Sequence, residues 1–112
     1  LDKRFYIFLT PVAKPYMDLI LINRLDSYAR WLEETIEVFG SIYLFPYSHS
    51  ITNNYLINFR DNRHYYPSVG KKIVDSMFNN PDGQHVLLTS DNLDLYINSL
   101  ESIRINLTNE QK

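Results

Sequence analysis

The sequence predicts a single α/β domain: a partial three-layer αβα arrangement, with a short parallel sheet between flanking helices. Three observations carry that prediction. Two apolar runs lack the alternation of a half-wet strand, a long amphipathic stretch joins them, and 112 residues leave room for one core and no second. The first run, Phe5-Tyr6-Ile7-Phe8-Leu9, stops at Thr10-Pro11 and reads as a strand buried on both faces. From about Tyr16 to Val38 apolar residues recur at helical spacing. Leu21, Leu25, Tyr28, Leu32, Ile36 and Phe39 form one stripe, with Arg24, Arg30, Glu33 and Glu37 outside it and Gly40 placed to end the helix. Ser41-Ile42-Tyr43-Leu44-Phe45 repeats the strand signal and ends at Pro46. Strand, helix and strand in this order make a βαβ unit, whose right-handed crossover sets the two strands parallel.

Between Pro46 and Pro67 the sequence turns polar, giving a long loop beyond a strand's carboxyl end, the edge at which open α/β sheets bind ligands. A helix is expected from Pro67 or Ser68 through Ile73 and Val74 to Phe78, with proline at the first turn or Ser68 as its cap. Asn79-Asn80-Pro81-Asp82-Gly83 stops it. The short apolar piece His85-Val86-Leu87-Leu88 leads into Thr89-Ser90-Asp91, an N-cap cluster. A last amphipathic helix from about Asn92 to Leu107 follows, with Leu93, Ile97, Leu100 and Leu107 on one side, and residues 108–112 read as a flexible tail.

Composition narrows the function classes. Hydrophobic residues at 45% and charged residues at 21% are globular values, against disorder. A net charge of −2 offers no basic excess for nucleic acid. Nine Tyr, six Phe and one Trp imply several rings that are partly wet or need a partner for a buried polar tip. The absence of Cys excludes disulfides, thiolate zinc and cysteine nucleophiles together. The apolar run at Phe5–Leu9 is far shorter than the ~20 residues of a spanning helix.

The chemistry concentrates in Asp61-Asn62-Arg63-His64, followed by Tyr65-Tyr66-Pro67-Ser68-Val69-Gly70. An Asp placed three residues before a His can accept a hydrogen bond from Nδ1, which fixes the tautomer and leaves Nε2 to take a proton from a hydroxyl nucleophile. On the tetrapeptide alone, a solvated loop pair or a capping arrangement is the more ordinary reading, and the catalytic one depends on the setting of the motif. Arg60 and Arg63 flank the Asp and suit an anionic substrate group, or else simply lower the carboxylate's pKa. Tyr65 and Tyr66 suit a sugar face, or else pack beneath the loop. His49, His64 and Asp61 match no compact metal-ligand spacing, and neither metal nor cofactor is expected.

The motif follows the second strand of a βαβ unit and precedes a helix, and in this setting it resembles the last block of the SGNH (GDSL-type) hydrolase superfamily. The segment Asn58-Phe59-Arg60-Asp61-Asn62-Arg63-His64-Tyr65 is similar to the form found in SGNH-like proteins associated with bacterial cell-surface polysaccharides, as is Leu88-Thr89-Ser90-Asp91-Asn92 before the last helix. The resemblance implies a flavodoxin-like, SGNH-like fold, with Asp61 and His64 as catalytic acid and base and Gly70 as the glycine of the turn that follows. It implies Tyr65, Arg63 and Arg60 as substrate contacts, a carbohydrate or acyl-ester substrate, and an extracytoplasmic or membrane-associated parent protein.

The resemblance spans about residues 5–107, the final part of that superfamily's domain. The Gly-Asp-Ser block of its nucleophile is missing here, and three glycines provide no Gly-x-Asn-Asp block for its oxyanion donors. Two explanations compete: a C-terminal portion whose serine lies in the N-terminal part of a longer protein, which the start at Leu1 without Met favours, or a lineage that lost catalysis. A sheet lacking its first strands exposes an edge, so a homo-oligomer pairing through that edge is expected. The expected function is therefore an esterase or O-acyltransferase on a cell-surface polysaccharide. The alternative is a non-catalytic α/β interaction module.

Overall fold

The computed structural model describes residues 6–46, 49–61, 63–79 and 86–110. Helix α1 spans Lys14–Phe39, with Pro15 in its first turn and the Ala13 carbonyl accepting from the Tyr16 and Met17 amides. Its buried face is Met17, Leu21, Leu25, Leu32 and Ile36, the last four from the predicted stripe and Met17 an addition to it; Phe39, assigned to that stripe, is instead 56% exposed. Arg24, at φ −139° and ψ 23°, kinks the helix. Gly40 ends it at φ 85°, donating its amide to the Ile36 carbonyl at 2.7 Å, a conformation that disfavours any residue with a Cβ.

Strand β1 (Ser41–Leu44) pairs antiparallel with β2 (Val86–Thr89), Ser41 opposite Thr89 and Leu44 opposite Val86. Between them come two single-turn helices, α2 (Ser50–Asn53) and α3 (Tyr55–Asn58), then α4 (Pro67–Val74), which loosens into a π-helical turn at Asp75–Asn79. Tyr66, not Ser68, occupies the N-cap position of α4. Helix α5 (Leu93–Glu110) closes the chain, so residues 108–110, assigned to a tail, are helical, and 111–112 lie outside the described residues.

These features overturn the parallel αβα prediction. Among the described residues the chain is mostly helical, at 67%, around a two-stranded antiparallel sheet. Of the first predicted strand, Phe5 lies outside the described residues. The rest makes one isolated parallel bridge, Phe8 to Tyr43, with Leu9 N–H donating to the Tyr43 carbonyl (2.9 Å) and Tyr43 N–H to the Ile7 carbonyl (2.8 Å). The partner of β1 is not the predicted one. The 86–89 segment, expected only as a short apolar piece, supplies the second strand, and the register sets Val86, its first residue, beside Leu44, the last of β1, so the two run antiparallel. Burial in β1 also alternates, with Ile42 and Leu44 buried and Ser41 and Tyr43 half-buried, in place of a strand covered on both faces.

The alternation divides the core. Ile42, Leu44 and Leu88 pack against Leu32 and Ile36 of α1 and Leu93 of α5. Farther along the α1–α5 seam, Met17, Leu21 and Leu25 meet Leu100. Tyr28 and Tyr96 line the seam with their phenols kept neutral by burial, Tyr28 being pushed up to about 12. A third cluster, Ala13, Phe45, Ile51, Phe59, Val69, Ile73 and Met77, underlies the 46–66 connection, and Tyr43 packs against it. No helix among the described residues is long and apolar enough to cross a membrane.

Candidate acid–base site

The connection expected as an open loop is folded from Asn58 to Tyr66 into a small hairpin. Phe59 and Tyr65 form an antiparallel bridge, Arg60 N–H donates to the His64 carbonyl at 2.8 Å, and Tyr66 N–H donates to the Asn58 carbonyl at 2.9 Å. The pairing is anchored from below. Phe59 is buried, its ring meets Tyr65 edge-on at 6.5 Å, and both rings belong to the cluster that holds Val69 and Ile73 of α4. Asn58, also buried, donates through Nδ2 to the Ile51 carbonyl at 3.2 Å and accepts from Lys72 Nζ at 3.2 Å. The base of the hairpin is thereby tied to both α2 and α4.

At the tip, the Asp61 carboxylate folds back on its own backbone. Oδ1 accepts from the Arg63 and His64 amides, both at 2.9 Å, an Asx-type turn that substitutes for a glycine-containing one. The same carboxylate meets His64 Nδ1 at 2.9 Å from Oδ1 and 2.8 Å from Oδ2. The Arg63 amide first, then the His64 ring, hold the Asp61 carboxyl down at about 2, against an ordinary value of 3.8. An ionised carboxylate accepts only, so Nδ1 must carry a proton, and of the two neutral tautomers the contact favours the one whose lone pair is on Nε2. Among the described residues nothing hydrogen-bonds Nε2. The side chains of His64 and Asp61 are 66% and 59% exposed, so the pair stands open at the surface.

The other predicted site residues are distributed around this pair. Arg63 lies with its guanidinium 5.9 Å from the centre of the Tyr16 ring, bringing the start of α1 to the hairpin. Arg60 is exposed beside His64, whereas Tyr65 is half-buried against Phe59. Gly70, matched by resemblance to a turn glycine, sits inside α4 with open space where a Cβ would be, so no turn requires it. His49 is elsewhere: 1% exposed, it accepts at Nδ1 from the Ile51 amide to cap α2 and meets Phe45 edge-on. Among the described residues no three His, Asp or Glu side chains come together to hold a metal ion. Asn58, Lys72 and Tyr16 escaped the sequence reading because their contacts with the hairpin link distant segments, which no local spacing encodes.

No family model, curated protein or solved structure matches this chain.

Proposed function

We propose that this chain supplies the acid–base half of an SGNH-type serine centre that cleaves or transfers an ester on a cell-surface polysaccharide. The nucleophilic serine and the oxyanion donors come from the N-terminal part of a longer protein. One observation carries the proposal: the Asp61 carboxylate lies 2.8 Å from His64 Nδ1, with Nε2 available on an open surface. In the reaction, His64 Nε2 removes the hydroxyl proton as the serine oxygen bonds to the ester carbonyl, and then returns it to the departing alcohol oxygen. Asp61 orients the ring and stabilises the imidazolium formed between those steps. The polysaccharide substrate and an extracytoplasmic setting rest on the sequence resemblance.

The test uses the longer protein with its serine present. His64→Ala is expected to lower kcat/KM for ester cleavage by about 10²–10⁴-fold, the range of general acid–base catalysis. An unchanged value would remove His64 from the mechanism.

A second reading, the non-catalytic interaction module, is favoured by a different feature. A groove of about 340 Å³ lies between the 8–12 segment and α1, lined by Phe8, Val12, Ile20, Tyr28 and Trp31. Under that reading the groove seats a partner chain, and the Asp61–His64 contact serves only to clamp the hairpin tip.

A further inference from the structure

The acid–base reading leaves unused the charge that surrounds the pair. Residues 58–72 hold Arg60, Arg63, Lys71 and Lys72 against the single carboxylate of Asp61, a local charge of +3. The whole chain carries −2, so the remaining residues carry −5, and the hairpin together with α4 as far as Lys72 is a cationic segment of an acidic molecule. Its arginines are arranged around the dyad. Phe59 and Tyr65 point into the core, so strand alternation puts the next facing pair, Arg60 and His64, together on the outer face, with Cβ atoms ~5 Å apart. On the other side of the tip, Arg63 is held over Tyr16.

Neither guanidinium is neutralised. The Asp61 oxygens are occupied by His64 Nδ1 and two backbone amides, and among the described residues no carboxylate pairs with Arg60 or Arg63. The planar fork of N–H groups that each guanidinium carries matches a carboxylate or phosphate at two points.

Resting on the proposed acid–base role, we infer that the ester substrate is an anionic oligosaccharide. Arg60 and Arg63 bind its carboxylate or phosphodiester groups on either side of His64. The exposed Tyr66 ring offers a flat apolar face to a neighbouring sugar. A nucleic acid fits less well, since the patch is short and sits on a chain of net negative charge.

The test reads binding to this chain, and so it fails separately from the His64→Ala activity test. Isothermal titration uses tetragalacturonate, its full methyl ester, a poly(glycerol phosphate) oligomer of matched length and a single-stranded oligonucleotide. At least one of the two anionic carbohydrate probes is expected to bind, and the tighter of them identifies the anion. The methyl ester is expected not to bind. The double variant Arg60→Gln, Arg63→Gln, both at exposed positions, removes two charge-assisted contacts and is expected to weaken binding at least about tenfold, the loss that one such contact alone would cause. Arg30→Gln removes a charge on the exposed side of α1 and is expected to leave the affinity unchanged. Absence of binding, equal binding of the methyl ester, no loss in the double variant, an equal loss in Arg30→Gln, or oligonucleotide binding as tight as the saccharides would each overturn the inference.

Discussion

Asp61 performs two tasks with one carboxylate: it closes the hairpin tip through the Arg63 and His64 amides and orients the His64 ring. Both favour the ionised form, so the carboxyl is held at about 2 instead of 3.8. The sign of the pH dependence follows. A depressed carboxylate stabilises the hairpin above its unfolded value, and that contribution disappears as pH falls from about 4 through about 2. The Arg63 and His64 amide resonances are therefore expected to shift with a midpoint near 2 in an acid titration followed by NMR, and Asp61→Asn should abolish that transition. A midpoint near 4 would mean that the carboxylate makes neither contact in solution. This part of the site was legible because an i,i+3 contact is local: Asp-x-x-His fixes it wherever a tight turn forms. The turn itself was not legible. Arg60 to Arg63 contains no glycine, and the turn is closed by a side chain in place of a special backbone conformation.

Among the elements, α1 and α5 could be read from helical periodicity and their ends from local chemistry. Gly40 stops α1, whereas the start of α5 was read slightly early: Asn92, expected as its first residue after a Thr89-Ser90-Asp91 cap, precedes the helix, its side chain accepting from the Thr89 amide at 2.8 Å and donating to the Leu87 carbonyl at 2.9 Å. The second strand of the sheet was not readable. The four residues Val86–Thr89 read only as a short apolar piece before a helix cap, yet they supply the antiparallel partner of β1, while the first predicted strand makes a single parallel bridge, Phe8 to Tyr43. Helix α4 matters most to the site, because Val69 and Ile73 form the floor on which Phe59 and Tyr65 rest. Ile73→Ala leaves a cavity there and is expected to destabilise the protein by about 2–5 kcal/mol, read as a lower urea midpoint at unchanged slope. It should also disperse the His64 resonances as the hairpin loses its support. A loss under ~1 kcal/mol would show that the hairpin does not depend on α4.

For the molecule as a whole, division of labour between the two sides of the sheet is the main consequence of the fold. The α1–α5 side contributes the long seam, with Leu21, Leu32, Leu88 and Leu100 fully buried, and carries none of the candidate chemistry. The other side is built from short elements whose purpose is legible only in three dimensions: α2 is capped by a buried histidine, Asn58 ties α2 to α4, and the hairpin is set on top. Composition showed the net charge but not its separation, since the +3 patch and the −5 remainder cancel to an unremarkable −2. What joins the dyad to the cationic patch is the hairpin register, which places Arg60 across from His64.

The central claim is that His64 is held by Asp61 as a base with its lone pair on Nε2. The most direct measurement is the nitrogen chemical shifts of the His64 ring by long-range ¹H–¹⁵N NMR at neutral pH or slightly above, assigned against His64→Gln among the chain's three histidines. The account predicts a protonated, pyrrole-like Nδ1 and an unprotonated, pyridine-like Nε2, reverting to a tautomer mixture in Asp61→Asn. A ring protonated at Nε2, or one whose shifts do not respond to Asp61→Asn, would contradict it.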